Sequence, residues 1–188
     1  MKSRFPLLDE PLALDLVNTR IRRDGTEVDL LDSPVALLAW LRAERGRLAW
    51  LGAIDAADLA TVRALRDAID RLLRARRGHV RPARADVDRV DHALASGPAL
   101  AQLGWGATGP VLKPLPAPAR RCMLLHTLAR DALMLLTGPC ADQVRECAHP
   151  DCRLQFVARN PRRQWCSDQL CGNRARVAKH YRRHHQAI

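Results

Sequence analysis

Four cysteines near the end of the chain, in two pairs of identical spacing, constrain its fold more than any other feature. Cys147 pairs with Cys152 and Cys166 with Cys171, each with four residues between them, and thirteen residues separate the pairs. Each short pair forms a knuckle that directs two thiolates to one point, and two knuckles complete a tetrahedron around a metal ion. Four thiolates leave no coordination position open. The spacing therefore predicts one structural Zn²⁺ held by these four residues.

The same cysteines could instead form two disulfide bonds, because their number is even. The first ten residues contain charged side chains where a secretory signal peptide needs an unbroken apolar core. We therefore expect a cytoplasmic protein, and in a reducing compartment paired cysteines more often bind metal. Two other residues are alternative ligands: His149 lies inside the first knuckle, and Cys140 lies just upstream.

The charge of the chain indicates an anionic partner. Lys and Arg number 31 against 20 Asp and Glu, which gives a formal net charge of +11. From residue 142 onward, ten basic and four acidic residues give +6, so more than half of the excess lies in the cysteine-containing quarter. Nearly all of the basic residues are arginine, whose planar guanidinium can donate two hydrogen bonds to one phosphate.

A helix is predicted after the last knuckle, from residue 168 to 185. Winding it at about 100° per residue places Arg174, Val177 and Tyr181 toward the metal, with a basic side opposite them. A metal-anchored helix with one basic side, next to a basic loop, matches the charge of a nucleic-acid backbone. We therefore expect DNA binding, with RNA binding or a protein-interaction module as alternatives. The predicted contact residues are Arg159, Arg162, Arg163, Arg176, Lys179 and Arg183.

Residues 1–138 are predicted to form a helical domain, separated by Gly138-Pro139 from a second domain at 139–188. The chain is rich in Leu and Ala and poor in aromatic residues, which favours helices over a β sandwich. Ser33 and Asp55 are typical N-caps of two helices, and a small β-hairpin is predicted between residues 103 and 118. The predicted fold class is mainly α: a helical N-terminal domain with a small β-hairpin, then a zinc ribbon or treble-clef-like finger that ends in a basic helix.

The predicted helix at 119–136 is apolar nearly all round, so we expect it at the buried centre of the first domain. Its one polar stripe, which includes Thr127, Arg130 and Asp131, is either a solvated face or the floor of a cavity. No apolar run of the chain approaches the roughly 20 residues of a membrane span. No Gly-rich phosphate loop, open metal triad or nucleophile elbow is present, so neither a membrane protein nor an enzyme is expected.

Polar residues interrupt the apolar stretch from 11 to 20, whose periodicity does not distinguish a short strand from a helical turn. Asp15, Asn18 and Thr19 need hydrogen-bonding partners if they are buried. They form either a buried polar network or part of a pocket. Residues 22–27, which contain Asp24-Gly25, are predicted to be a turn or an exposed loop.

Three short stretches near the end of the chain resemble a known zinc finger. Phe156, the run from Arg162 to Ser167 and the run Cys171-Gly172-Asn173-Arg174 closely resemble the CGNR zinc finger. The stretch from Leu12 to Thr19 resembles the opening of the ABATE domain. That domain precedes the finger in bacterial proteins described as stress-induced transcription regulators.

This resemblance implies a one-component regulator, in which the first domain senses a small ligand or a stress and the finger binds DNA. It also implies a ligand pocket lined by Asp15, Asn18, Thr19 and Arg66. Because a single finger of this size binds DNA weakly, we further expect a homodimer formed through the first domain.

Overall fold

The computed structural model describes residues 4–48, 52–97, 102–106, 108–113 and 120–185. For some residues within the helices and strands it describes the backbone but not the side chain. These residues form six α-helices and three two-stranded antiparallel sheets. In chain order the elements are α1 (Leu12–Val17), β1 (Arg20–Arg23), β2 (Thr26–Asp29), α2 (Pro34–Ala43), α3 (Ala56–Arg77), α4 (Arg84–Ala95), β3 (Gln102–Gly106), β4 (Gly109–Lys113), α5 (Arg120–Thr137), β5 (Val144–Glu146), β6 (Gln155–Val157) and α6 (Asn173–His185). The mainly α fold class predicted from the sequence is confirmed.

The short helix α1 lies at the centre of the first domain, in contact with both α3 and α5. All six of its residues are buried. Helix α5 holds its first turn in place, because the backbone NH of Ala13 donates to Asp131 Oδ1 at 2.7 Å. The ambiguity of residues 11–20 is thereby resolved in favour of a helix. Apolar residues on every side suit a helix that other elements enclose.

Local capping explains where α2 and α3 begin. Ser33 Oγ accepts a hydrogen bond from the backbone NH of Ala36 at 3.2 Å, and Pro34 occupies the first helical position. Asp55 and Asp58 form a reciprocal capping box, with donor–acceptor distances of 2.7 and 3.0 Å. These interactions satisfy backbone donors that the first turn of a helix leaves free. Both predicted helix starts are confirmed.

The turn predicted within residues 22–27 is confirmed at Asp24-Gly25, and it joins two strands that were not predicted. Strands β1 and β2 pair along all four residues, with Arg20 opposite Asp29. Asp24 and Gly25 form the connecting turn, both with positive φ (50° and 75°), as a type I′ turn requires. Asp-Gly is a strong hairpin signal, but each flanking strand has only one apolar residue, Ile21 or Val28, among mostly charged ones. The apolar–polar alternation was therefore too weak to predict the two strands.

The predicted small β-hairpin is confirmed by β3 and β4, which pair in register from Gln102 opposite Lys113 to Gly106 opposite Gly109. Trp105 on this hairpin is 76% exposed. The hairpin therefore does not contribute this large ring to the core.

Helix α5 forms one wall of the core and is not its centre. Its buried face consists of Leu124, Leu125, Leu128, Ala129, Ala132 and Leu135. Met134 is 63% exposed, so the prediction of burial all round is wrong. The composition of a helix does not show which neighbours enclose it, and here the shorter α1 takes the central position.

Hydrogen bonds from the first domain fix the strand β6 in place. Asn18, which follows α1, donates from Nδ2 to Gln155 O at 2.9 Å and accepts from Gln155 NH at 2.8 Å. Its amide therefore pairs with β6 as a neighbouring strand would. Glu10 Oε2 accepts from the backbone NH of Val157 at 2.9 Å. All three residues of β6 are buried, and Val157 packs into the core of the first domain.

Side chains of α3 complete this attachment. Asp70 accepts from Gln155 Nε2 at 2.6 Å and from Arg153 at 3.0 Å, and Arg77 donates to Glu146 at 2.6 Å. Buried polar groups are tolerated when they are paired in this way. The first strands of the finger and the helices of the first domain are thus joined by one set of polar and apolar contacts.

Replacing Asn18 with alanine would leave both backbone groups of Gln155 unpaired in a buried site. Each such group costs about 1–3 kcal/mol, so we expect Asn18→Ala to lower the free energy of unfolding by about 2–4 kcal/mol. The measurement is urea unfolding of the zinc-loaded chain, with the exposed Asn173→Ala as the matched control. A change within about 0.5 kcal/mol of the wild type would show that the amide does not hold β6.

Candidate metal centre and nucleic-acid interface

Backbone hydrogen bonds shape both cysteine knuckles. Cys147 directly follows β5, and its NH donates to Leu154 O at 2.9 Å, which closes the first knuckle. Ala148 NH donates to Gln164 O at 3.0 Å and joins the first knuckle to the second. Ser167 Oγ caps the following turn by accepting two backbone NH groups, each at 3.2 Å. That turn contains the fourth cysteine.

The four predicted ligands converge on one point. The Sγ atoms of Cys147, Cys152, Cys166 and Cys171 all lie within 4.8 Å of one another, and those of Cys152 and Cys166 are 3.9 Å apart. Thiolates at the usual Zn–S distance of about 2.3 Å lie about 3.8 Å from one another in a tetrahedron, whereas a disulfide requires about 2.05 Å. All four are free thiols. The geometry fits one structural Zn²⁺ and contradicts the disulfide alternative.

Neither alternative ligand joins this cluster. Among the described residues, the four cysteines are the one group of His, Cys, Asp or Glu side chains placed closely enough to share a metal ion. His149 Nδ1 instead accepts from Asp151 NH at 3.2 Å. Cys140 packs against the core of the first domain.

The electrostatics of the thiol cluster favour a cation. Hydrogen bonds from Cys152 and Cys166 lower the pKa of Cys147 to about 2. Its hydrogen-bonded sulfur in turn raises the pKa of Cys152 to about 12 and also raises the pKa of Cys166. Burial and the charge of the Cys147 thiolate raise the pKa of Cys171. One ionised sulfur therefore opposes ionisation of the others, and a bound dication removes this opposition.

Arg163, predicted to contact nucleic acid, holds the finger together instead. Its guanidinium carbon lies 4.2 Å from the centroid of the Phe156 ring, and its Nε donates to Trp165 O at 3.1 Å. Its NH2 donates to Cys166 O and pairs with Glu10 Oε1 at 3.1 Å. Because the guanidinium of Arg163 donates to partners inside the protein, we no longer expect Arg163 to contact nucleic acid.

Three other predicted contact residues keep accessible side chains. Arg159 and Arg162 are exposed in the segment after β6, and their guanidinium groups have no partner among the described residues. Arg176 is exposed on α6 and donates to Asp168 O at 3.3 Å. The side chains of Lys179 and Arg183 lie outside the described residues.

Helix α6 is more exposed than the sequence predicts. Arg174, Val177 and Tyr181, expected to face the metal, are exposed, Val177 to 50% and Tyr181 to 62%. The turn before α6, Asp168–Gly172, is a π-helix, whose wider winding rotates the residues that follow it relative to an ideal α-helix. Arg145 on β5 is a further exposed arginine. Because β5 has only three residues, the alternation of apolar and polar residues in the sequence could not predict that Arg145 is exposed.

Two family profiles match the chain, in the order that the sequence motifs suggest. The ABATE profile, described as "Putative stress-induced transcription regulator", matches residues 10–139, which is more than half of the chain. The chain belongs to the ABATE family. The profile of the CGNR zinc finger matches residues 143–184 and includes all four metal ligands. The resemblance stated from the motifs is confirmed in both parts.

The two matched families also indicate which type of protein this ABATE member is. Its two families are regulator and zinc-finger families and not families of enzymes. No curated protein matches the sequence. Within the described ranges, no helix is both long enough and apolar enough to cross a membrane.

The four residues predicted to line a ligand pocket are paired inside the protein. Arg66 is 1% exposed, makes a bidentate contact with Asp29 at 2.6 and 2.8 Å, and donates to Thr19 Oγ1 at 3.1 Å. Asp15 pairs with a guanidinium, and Asn18 holds the backbone of β6. All four side chains are therefore paired within the protein, Arg66 and Thr19 with each other and Asp15 and Asn18 with separate partners, which favours the polar-network interpretation over a ligand pocket lined by them.

A cavity of about 290 Å³ adjoins the start of the ABATE motif. Part of its wall is the polar stripe of α5, whose Arg130 is also exposed to solvent. The lining residues are Pro11, Leu12, Arg47, Thr127, Arg130, Asp131 and Met134.

Two buried carboxylates share Arg47 beside this cavity. Asp15 and Glu44 both pair with its guanidinium, and their side chains are 0% and 3% exposed. Burial raises the pKa of Asp15 to about 6, although the hydrogen bond from Arg47 acts in the opposite direction. The charge of Glu44 raises the pKa of Asp15 further.

We expect one zinc ion per chain, and we expect Cys166→Ser to lower zinc affinity by more than about 100-fold, because a neutral hydroxyl replaces one of four thiolates. Cys140→Ser is the matched control, since Cys140 packs against the core and is not a ligand. The measurement is the metal content of the purified protein after dialysis against a chelator. Stoichiometric zinc in Cys166→Ser, or its loss in Cys140→Ser, would contradict the ligand set.

The contribution of Asp15 to the free energy of unfolding should fall as pH rises. Its unfolded pKa is about 3.9 and its folded pKa about 6, so the folded chain holds this proton more tightly. The contribution of Asp15 to the free energy of unfolding therefore falls between about pH 4 and pH 6. Relative to Asp15→Asn, the wild type should lose about 1 kcal/mol of stability between pH 5 and 7.

This difference is measured by urea unfolding at each pH. The exposed Asp91→Asn is the control variant and should follow the wild-type curve. Parallel curves for Asp15→Asn and the wild type would show that burial does not raise this pKa.

Proposed function

We propose that this ABATE-family protein is a transcription regulator whose CGNR finger binds duplex DNA. The observation that carries the proposal is a group of exposed arginines around the zinc-anchored helix, none of which forms a salt bridge with a described residue. They are Arg145, Arg159, Arg162, Arg174 and Arg176. Guanidinium groups without an acidic partner are available to phosphates.

The acidic residues of the finger do not fully offset this charge. Glu146 pairs with Arg77 at 2.6 Å, and Asp142 pairs with Arg76 at 3.0 Å. Both arginines belong to the last turn of α3, so the first domain neutralises two of the four acidic residues near the finger. The exposed arginines of the finger therefore keep their positive field toward solvent.

The accessibility of α6 also supports DNA binding. Of its described side chains, only Ala175 is half-buried and the others are exposed. An α-helix with its side chains is about 10–12 Å across, and the major groove of B-DNA is about 12 Å wide. A helix fixed at one end by zinc and accessible over most of its surface is suited to enter this groove.

The proposal includes a sensing role for the ABATE domain and a homodimer. The cavity bordered by Arg47 and Arg130 is of the size at which small-ligand sites begin, about 300 Å³. It touches α1, and Asn18, which directly follows α1, holds β6, so a ligand there would act on the element that positions the finger. The homodimer is proposed because a single finger of this size binds DNA weakly.

Zinc-loaded full-length protein should bind random duplex DNA with an affinity that falls steeply as salt rises. The slope of log affinity against log salt is about −0.9 per phosphate contacted, and Arg162→Gln should reduce its magnitude by about 1. Arg89→Gln, an exposed arginine of α4, should change neither affinity nor slope. The measurement is fluorescence anisotropy between 50 and about 300 mM salt.

Absence of duplex binding at the lowest salt would contradict the proposal. The same loss of affinity in Arg162→Gln and Arg89→Gln would instead show that binding follows total charge and not the surface of the finger. Tighter binding to single-stranded RNA than to duplex DNA would indicate the RNA alternative.

A further inference from the structure

The outer side of α6 differs in composition from its edges. Cys171 and Gly172 are buried and Ala175 is half-buried, so these residues define the side that faces the zinc knuckle. Ala175 is the half-buried residue within α6 itself, and winding the helix from it at about 100° per residue places Asn173 and Val177 each about 160° away, on the opposite side. The outer surface of the helix therefore begins with an amide and an aliphatic side chain.

Asn173 presents an unpaired amide at the start of α6. It is exposed, and its side chain forms no hydrogen bond with a described residue. The amide can donate and accept at the same time, which matches the N6 donor and N7 acceptor of adenine in the major groove. The first residues of a recognition helix are those that reach base edges.

Val177 lies one turn further along the same side and is 50% exposed. Its apolar side chain gains little from water, whereas the C5-methyl group of thymine offers an apolar contact in the major groove. Side chains four residues apart on a helix are about 5–6 Å apart. Because successive base pairs rise by about 3.4 Å, the two side chains would reach bases one or two steps apart.

Exposed arginines border this surface on both edges. From the direction of Asn173, Arg176 lies about 60° to one side and Arg174 about 100° to the other. Phosphates line both edges of a groove and position a protein without reading sequence. Asn173 and Val177, which are uncharged, thus lie between two arginines, as the base edges of a groove lie between two phosphate backbones.

We propose that Asn173 and Val177 are the base-reading residues of this protein, with Asn173 contacting an adenine and Val177 the methyl group of a thymine in the major groove. This inference rests on the proposed binding of duplex DNA. It assigns sequence preference to two uncharged residues and general affinity to the flanking arginines.

The test is selection of bound sequences from random duplex DNA by zinc-loaded full-length protein, as wild type, Asn173→Ala and Val177→Ala. The wild-type profile should contain an adenine position and a thymine position within two steps of each other. Asn173→Ala should lose the adenine preference by roughly tenfold or more. Arg176→Gln, as the control, should weaken binding to all sequences alike and lower the salt slope by about 1.

The thymine contact has a second test, made with the wild-type protein and therefore independent of how any variant folds. Replacing the selected thymine by deoxyuracil removes only the methyl group and should weaken wild-type binding several-fold. Val177→Ala should bind the two duplexes equally. Unchanged zinc content and circular dichroism identify the variants that are correctly folded.

The outcomes separate this inference from the proposed function. If the wild type binds duplex DNA but Asn173→Ala keeps the wild-type sequence profile, and deoxyuracil has no effect on the wild type, the inference is wrong and DNA binding stands. If the wild type binds no duplex, the proposed function itself fails.

Discussion

Tetrahedral coordination by four thiolates is the constraint on which the finger depends, because the finger has little other core. Its buried hydrophobic cluster consists of Leu154, Phe156 and Ala158 together with three of the four ligand cysteines, and the partly buried Leu8, Ile21 and Trp165 pack against it. So few apolar side chains do not offset the conformational entropy of ordering the segment. Structural zinc contributes about 10–16 kcal/mol to folding in comparable small sites. The ion therefore replaces an apolar core and fixes the start of α6.

Arg163 and Glu10 connect this metal centre to the first domain. A zinc ion with four thiolates would carry two formal negative charges, and the guanidinium of Arg163 donates a hydrogen bond to the carbonyl oxygen of the ligand residue Cys166. Glu10 is buried, accepts from the backbone of β6 and also pairs with Arg163. One carboxylate of the first domain thus contacts both the strand and the arginine that stabilise the finger.

The polar contacts of β6 have a consequence for regulation. Paired buried groups hold a unique arrangement, because any other arrangement would leave some of them unsatisfied. The finger is therefore held in one orientation by Asn18, Glu10 and Asp70. Under the proposed sensing role, a ligand that displaced α1 would alter the position of β6 and, through the first knuckle, the direction of α6.

Features that depend on residues close together in the chain were predictable from the sequence. The spacing of the cysteines specified all four ligands and a closed coordination sphere, because each knuckle needs only a short turn to bring two thiolates together. The starts of α2 and α3 followed from Ser33 and Asp55, whose side chains cap backbone groups three residues away. The resemblance to the ABATE domain and the CGNR zinc finger was also recognised from short runs of consecutive residues.

Features that depend on distant partners were decided by the tertiary structure. Arg162 and Arg163 are adjacent and chemically identical, yet one is exposed and the other lies over Phe156. Asn18 resembled a residue of a ligand pocket until the fold paired it with Gln155, 137 positions away. By itself the sequence determined the metal centre, the helix starts and the mainly α class. Only the tertiary structure decided which polar side chains are bound within the protein and which are available to a partner, because each buried group finds its partner on an element that packing alone brings near it.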